Sequence, residues 1–135
     1  MGLRKEKIAT LEVKIGDIGY GNHMGNDKAL LFFHDARIKM FNSIGFEELN
    51  IGNNTGIVVS EAHVYYYKEV FLYDVLEATL EVDEITPTSF FLNYEFTRQS
   101  DSKIVLKGST KIIAFDYATK KVAKIPDEFL SKISK

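Results

Sequence analysis

A glycine-rich segment near the amino terminus carries residue types that could do chemistry. It reads Gly16-Asp-Ile-Gly-Tyr-Gly-Asn-His-Met-Gly-Asn26, with four glycines in eleven residues. Such a density of glycine indicates positive φ angles or the close approach of a ligand or another backbone. His23 lies inside this segment, where it could donate a hydrogen bond, orient a water or act as a base. The structural alternative is that His23 braces the loop against the element that follows.

A helix is predicted to begin directly after this loop. Asn26 or Asp27 can cap it, and its apolar positions continue to about Ile44, before Gly45, a typical residue after a helix end. The first backbone amides of a helix have no partner inside the helix and attract negative charge. The amides of Gly25, Asn26 and Asp27 could therefore stabilise a developing oxyanion. The alternative is an ordinary N-cap with a tight turn.

The elements that would position this loop follow from the hydrophobic pattern. The helix has a wide apolar face, which Leu31 and Ile38 extend, so another element is expected to wrap around it. After residue 56 the pattern changes to a period of two, which is typical of strands. Strands are predicted at 8–15, 56–68, 74–85, 89–98 and 103–117, with a short helix beginning at Pro126.

Sequential strands with short connections form an antiparallel sheet. We therefore expect the α+β class, with a curved antiparallel five-stranded sheet wrapped around one long central helix in a single domain over 1–135. The second strand is expected to place on one face Val58, Ser60, Ala62, Val64 and Tyr66. The wide apolar face of the helix also suggests that a second copy of the chain packs nearby.

Composition excludes several classes of protein. Lys and Arg number 17 against 19 Asp and Glu, for a net charge of −2, so no nucleic-acid partner is expected. The absence of cysteine excludes disulfides, a thiolate nucleophile and a Cys-ligated zinc site. The three histidines lack the spacing of a metal motif, and no metal is expected. The charged start and the lack of an apolar run of about 18 residues predict a cytoplasmic protein without a membrane segment.

The order of elements, with a glycine-rich loop leading into a central helix, resembles the hotdog-fold thioesterases of the 4-hydroxybenzoyl-CoA thioesterase-like group. That group's pattern is Asp-x-Asp-x-x-Gly-His-Val-Asn-Asn, followed by a helix ending in Phe-Glu-x-Ala-Arg. The positions that match here are Asp17, His23, Asn26, Ala36 and Arg37. The resemblance covers nearly the whole chain and implies a hotdog fold and an acyl-CoA thioesterase that releases a free acid and CoA.

The loop also departs from the group's pattern at three positions. Gly19 stands where the group has its second Asp, the usual catalytic carboxylate. Asn22 replaces a glycine, and Gly25 replaces an asparagine. The base of the reaction therefore cannot be carried over from the family to Gly19.

The catalytic candidates in this loop are Asp17, His23, Asn22 and Asn26, of which Asp17, His23 and Asn26 match the group's pattern. Asp17 is the leading carboxylate by its position in the motif, and its alternative role is to accept backbone N–H groups of the loop. Asn22 could hold a water or the substrate carbonyl. Asn26 corresponds most closely to the group's amide donor.

The candidate substrate-binding residues are Tyr20, Gly25, Asp27, Glu61 and His63. The last two lie two residues apart on the second strand, where a continuous sheet in a dimer could bring them to the neighbour's loop. Their alternative is a solvated sheet face. A helix carboxylate supplied by the partner subunit, as in some hotdog thioesterases, would be Asp35, whose alternative is a polar pair with Arg37.

The expected partners are an acyl-CoA substrate and a second copy of the chain, as a homodimer or homotetramer. Coenzyme A enters as part of the substrate, and no separate cofactor is expected. The acyl group would lie between the central helix and the neighbour's sheet, near Tyr65, Tyr66, Tyr67, Phe32 and Phe33, for most of which the alternative is an ordinary place in the core. Two alternatives remain: a non-catalytic module that binds acyl-CoA or an acyl carrier, which Gly19 favours, and a hotdog hydratase or dehydratase.

Overall fold

A computed structural model describes residues 6–134. Six strands and two α-helices follow one another along the chain: β1 (Glu6–Glu12), α1 (Ala29–Ser43), β2 (Gly56–Tyr66), β3 (Val75–Asp83), β4 (Ser89–Arg98), β5 (Ile104–Asp116), β6 (Lys121–Val122) and α2 (Asp127–Ile133). Between β1 and α1 lie three 3-10 turns, at Ile15–Asp17, Tyr20–Asn22 and Asn26–Lys28.

The five long strands form one antiparallel sheet. Their order is β1-β3-β4-β5-β2, and the two-residue β6 pairs with β5. The predicted α+β class, with a five-stranded antiparallel sheet and one long helix, is confirmed. In the part of the chain that the structure describes, no helix is long and apolar enough to cross a membrane.

The core lies between α1 and one face of the sheet. Along β3 and β4 alternate residues are buried, as the period of two predicted. The helix buries one side only, which consists of Ala29, Phe32, Phe33, Ala36, Arg37, Met40 and Phe41. Leu31 and Ile38, expected to widen the covered face, are instead 56% and 38% exposed. A single copy of the sheet therefore leaves part of the apolar helix surface in solvent.

The helix begins later than predicted. Asn26–Lys28 forms a 3-10 turn, and the α-helix proper starts at Ala29. Neither Asn26 nor Asp27 makes a capping hydrogen bond with its side chain. The carboxyl end agrees with the prediction, because Gly45 has a φ of +90° just beyond the last turn.

A bulge changes the side to which residues of β2 point. Val59 pairs with Ile112 and Glu61 with Lys111, so Ser60 is an extra residue without a counterpart. One extra residue exchanges the two faces of a strand. The single face predicted through positions 58–66 is therefore wrong.

The register shows which residues of β2 face α1. Residues directly opposite each other in adjacent strands point to the same side of the sheet. On this basis the helix side holds Ile57, Val59, Ala62, Val64 and Tyr66, whose counterparts in β5 are buried. Glu61, His63 and Tyr65 point to the outer side.

A buried polar network ties α1 to the sheet. The Arg37 guanidinium is 7% exposed; its Nε donates to Glu48 Oε2 at 2.5 Å and its Nη1 to the Tyr94 hydroxyl at 3.0 Å. That hydroxyl lies 2.7 Å from Thr110 Oγ1. Burial alone would lower the pKa of Arg37, but Tyr94 and Glu48 more than offset it, and the pKa lies above its usual value. Burial raises the pKa of the Tyr94 phenol, with Arg37 opposing.

The expected pair between Asp35 and Arg37 is wrong. Asp35 Oδ1 lies 3.0 Å from Lys39 Nζ, one helical turn away on the exposed side of α1. Arg37 points to the opposite side of the helix, because residues two positions apart lie on different faces.

Gly108 in β5 leaves room for an aromatic side chain of α1. A Cβ atom at this position would overlap the ring of Phe33 and the carbonyl oxygen of His63. The Phe33 ring stacks on Tyr94, with ring centroids 4.4 Å apart. The missing side chain at position 108 is therefore what lets the aromatic layer of α1 lie flat against the sheet.

Candidate active site

The glycine-rich loop folds back on itself before α1. The Gly19 amide donates to the His23 carbonyl, and the Gly25 amide donates to the Asp17 carbonyl, both at 2.9 Å. A Cβ atom at Gly25 would lie 2.7 Å from Asp27 Oδ1, the end of an exposed side chain that can move aside. The Gly25 amide, one of three expected oxyanion donors, is engaged within the loop.

The loop lies beside the segment that follows β2. His23 forms an antiparallel bridge with Phe71, and the Met24 amide donates to the Val70 carbonyl at 2.7 Å. These contacts join residues that are almost fifty positions apart in the chain. They fix the segment 69–71 against the loop.

The ring of His23 is oriented by its own loop. Its Nδ1 lies 3.1 Å from the Met24 carbonyl oxygen. Because a carbonyl oxygen only accepts, we assign the hydrogen of a neutral ring to Nδ1. Nε2 is then left with its lone pair, and it lies 3.7 Å from Glu69 Oε2. The half-buried imidazole can therefore accept a hydrogen bond at Nε2.

A pocket of about 220 Å³ opens in front of this histidine. It is lined by His23 and Asn26, by the segment 66–70, and by Val105 and Leu106 of β5. Apolar side chains form one part of its wall, and the polar groups of the loop form another. This combination suits a ligand with an apolar portion and a reactive polar centre.

The start of the helical region reaches the same pocket. The Tyr66 hydroxyl donates to the Asn26 carbonyl at 2.5 Å and so attaches the 3-10 turn to β2. The first amides of such a turn precede its first internal hydrogen bond, so those of Asn26 and Asp27 have no acceptor within the turn. They remain the candidates for an oxyanion site.

Asp17 makes a contact that supports its structural alternative. Its Oδ2 accepts the Lys14 amide at 2.9 Å, and its own amide donates to the Lys14 carbonyl at 2.8 Å. The carboxylate thus closes the first 3-10 turn of the loop. Asp17 is not part of the pocket lining, and its role as a base stays a prediction.

Comparison with known families assigns the chain to a superfamily. A sequence model of the thioesterase-like superfamily matches residues 13–133, which include the loop, the helix and the strands of the fold. The protein belongs to the thioesterase-like superfamily. The family and the hotdog fold predicted from the loop and the order of elements are both confirmed.

Several solved structures have the same fold as this superfamily member. A 1,4-dihydroxy-2-naphthoyl-CoA thioesterase from Synechocystis is 15% identical, with 91% of each chain covered and a TM-score of 0.82. A putative thioesterase from Pseudomonas aeruginosa is 21% identical, with 96% of this chain and 98% of the other covered and a TM-score of 0.85. A hypothetical protein from Staphylococcus aureus, solved in complex with CoA, is 20% identical over 98% of this chain and 84% of the other, with a TM-score of 0.84. A search of curated proteins finds no match.

Other candidates in this thioesterase-like chain lie outside the pocket of a single copy. Tyr20 is 98% exposed, and Asn22 is exposed with a φ of 63°. Glu61 Oε1 lies 3.3 Å from His63 Nε2 on the outer side of β2, and both side chains are about half exposed. Within one copy none of these four residues lines the pocket, and their roles stay predictions.

A larger pocket of about 340 Å³ lies on the outer side of the sheet and includes Tyr65, Tyr67 and Lys107 in its lining. Lys107 Nζ lies 3.5 Å from Glu95 Oε2 there. Its lining also holds Glu81, Glu95 and Ser109, but it includes neither the glycine-rich loop nor the helix start, whose backbone amides are the candidate oxyanion donors. Across residues 6–134, no group of three His, Asp or Glu side chains converges as a metal site would.

Glu69 is the acidic member of the pocket lining, and the sequence did not reveal it. It belongs to no motif and lies in the connection after an aromatic run, Tyr65-Tyr-Tyr-Lys-Glu69. Its proximity to His23 arises from a bridge between distant segments, which has no local sequence signature.

Proposed function

We propose that the protein hydrolyses an acyl-CoA thioester in the pocket between the glycine-rich loop and the segment 66–70. The observation that carries this proposal is the ring of His23, whose Nδ1 is held by Met24 so that Nε2 can accept a proton or a hydrogen bond beside the pocket. Membership in the thioesterase-like superfamily agrees with this chemistry.

Hydrolysis requires an activated water and a polarised carbonyl. In our proposal His23 orients the water, and the amides of Asn26 and Asp27 donate to the carbonyl oxygen as it gains negative charge. Asn22, at the tip of the loop, would hold the water or the carbonyl once substrate is bound. Binding the carbonyl through these backbone donors requires no movement of side chains, because the 3-10 turn that carries them is already attached to β2 through Tyr66.

The substrate contacts follow from the same pocket. The acyl group would contact the apolar wall near Val105 and Leu106, and the pantetheine arm would follow the glycine-rich loop. Lys68, at the pocket, is a cation suited to a nucleotide phosphate. CoA is substrate here, and we propose no further cofactor.

We also propose a homodimer, with a homotetramer as the alternative. Within the described sheet β2 has β5 as its one neighbour, so its other edge offers unpaired backbone groups over eleven residues. Val59 on its helix side and Leu31 on α1 are exposed apolar residues that a second copy would cover. A sheet continued through β2 would also bring Glu61 and His63 near a second copy.

A CoA substrate and a chain without cysteine fit a cytoplasmic location.

A thiol-release assay tests the function. The purified protein is incubated with a panel of acyl-CoAs of different acyl size and polarity, and free CoA is measured continuously. Release with at least one of them is the expected result. Binding of acyl-CoA without release would establish the non-catalytic module that Gly19 favours, and hydration of an enoyl-CoA without release would establish a hydratase.

A further inference from the structure

The pocket contains a carboxylate that the family pattern does not provide. The usual catalytic Asp is replaced by Gly19, and the Asp17 carboxylate is occupied by the Lys14 amide. Of the described residues that line the pocket, Glu69 is the one with a carboxylate. Its side chain is 66% exposed, so water reaches it freely when no substrate is present.

The position of Glu69 is fixed from two directions. Its backbone carbonyl accepts Arg98 Nη1 at 2.9 Å, and the same Nη1 lies 3.0 Å from Asp74 Oδ2. On its other side the chain continues into the bridge between Phe71 and His23. The attachment of the side chain beside the histidine is therefore set by the fold.

The distance between the two side chains suits a shared water. Glu69 Oε2 and His23 Nε2 are 3.7 Å apart, which is too long for a direct hydrogen bond. With Nδ1 bound to Met24, Nε2 of the neutral ring is an acceptor, and the ionised carboxylate is also an acceptor. One water can donate a hydrogen to each of them, which leaves an oxygen lone pair free to attack.

We propose that Glu69 is the general base of the hydrolysis, an assignment that rests on the proposed thioesterase function. The water oxygen forms a bond with the thioester carbon while one water proton passes to Glu69, and His23 holds the other hydrogen. The tetrahedral intermediate then breaks its C–S bond, and the proton on Glu69 passes to the departing thiolate to give CoA-SH. The acid product loses its proton to solvent.

The test compares Glu69→Gln with the wild type on an acyl-CoA that the wild type hydrolyses. Glutamine keeps the shape but cannot accept the proton, so kcat falls about 10²- to 10⁴-fold while KM changes little. The matched control is Glu77→Gln, which also removes a carboxylate from an ion pair, at 3.3 Å from Lys7, outside the pocket. Because Glu77 lies outside the pocket, kcat of the control stays within about twofold of the wild type.

A second variant distinguishes a catalytic role of the Glu69 carboxylate from a purely structural one. In Glu69→Ala the vacated space admits a small carboxylate from solution, so added formate restores part of kcat, whereas Glu69→Gln, which still fills the space, gains nothing. Glu69→Gln with wild-type kcat, or with a loss confined to KM, would overturn the assignment to Glu69 and leave the thioesterase function intact. A wild type that releases no thiol from any acyl-CoA would overturn both.

Discussion

At the scale of single residues, the direction in which His23 presents its lone pair decides what the pocket can do. The Met24 carbonyl oxygen accepts the hydrogen bond from Nδ1, so the nitrogen with the lone pair is Nε2, on the side of Glu69. A ring in the other tautomer would lose this backbone contact and present a donor to the water. The backbone of the loop thus selects the form of the histidine that is suited to hydrolysis.

Replacing this ring tests that interpretation. His23→Ala should lower kcat/KM for an acyl-CoA by about 10²-fold, because the water loses one of its two acceptors. Steady-state kinetics measure the loss, and circular dichroism of the same sample should stay native, because the backbone bridge to Phe71 does not involve the ring. A parallel loss of folded structure would instead assign His23 to bracing the loop.

The part of the site that could be predicted is the part that is local in sequence. His23 and Asn26 lie within one glycine-rich segment, and the structure places both at the same pocket. Glu69 could not be found in this way, because it reaches the pocket through pairing between segments on either side of α1 and β2. Local spacing also could not show that the Gly25 amide is used within the loop.

At the scale of the elements, Arg37 connects α1, the loop after it, and the sheet. A buried guanidinium is stable only with its partners in place, and here they come from three elements: Glu48 after the helix, Tyr94 in β4 and, through the phenol, Thr110 in β5. The network therefore fixes the lateral position of the helix on the sheet. Glu48 also contacts His34, at 2.8 Å, on the exposed side of α1.

Removing the charge of Glu48 should weaken this connection. Glu48→Gln is expected to lower the free energy of unfolding by about 1–3 kcal/mol, because the buried guanidinium loses its counter-charge. Chemical denaturation measures the change. The control is Glu47→Gln at the exposed neighbouring position, where a surface change costs about 0.5 kcal/mol or less. Equal effects of both substitutions would show that Arg37 does not depend on Glu48.

The close approach at Gly108 gives a second element-scale prediction. Gly108→Ala should lower the free energy of unfolding by about 1–3 kcal/mol, because the added methyl forces Phe33 and β2 to move. Gly16→Ala is the matched control, since a Cβ there meets nothing within 4 Å. Calorimetric melting of both variants decides the point, and a Gly108→Ala variant as stable as the control would contradict the packing described.

The strands differ in how well their faces could be predicted. In β3 and β4 one face is buried throughout, so hydrophobic residues alternate without interruption. In β2 the alternation passes through the bulge at Ser60, and most of the strand is exposed at the edge of the sheet. A bulge shifts the phase of a period-two pattern, but the apolar run Ile57-Val-Val59 before it hides the shift, which is why the predicted face failed there and not in the central strands.

At the scale of the whole molecule, one copy leaves a strand edge and part of a helix uncovered. Leu30, Leu31 and Ile38 on α1 are partly exposed, and so is Val59 on the helix side of β2. Monomeric proteins seldom leave such surfaces in contact with water. A second copy that continues the sheet through β2 would cover both.

Light scattering should therefore report about twice the chain mass of 15.4 kDa at micromolar concentration.

Leu31→Glu should weaken the dimer by about tenfold or more, because a charge would be buried at the contact. Val122→Glu is the control, an equally drastic change at an exposed apolar position on β6. A wild type that remains at the mass of one chain would remove the dimer and with it any contribution of Glu61 or His63 from a second copy.

The strand order also determines when the sheet can be completed during synthesis. β3, β4 and β5 can pair in succession as they leave the ribosome, but β2, made before all three, finds its neighbour only in β5. At about 5–20 residues per second, β2 waits for seconds with both edges unpaired. A nascent chain that stops short of Ile104 would leave this strand without its neighbour, and its unpaired edges would be open to chaperones or other nascent chains.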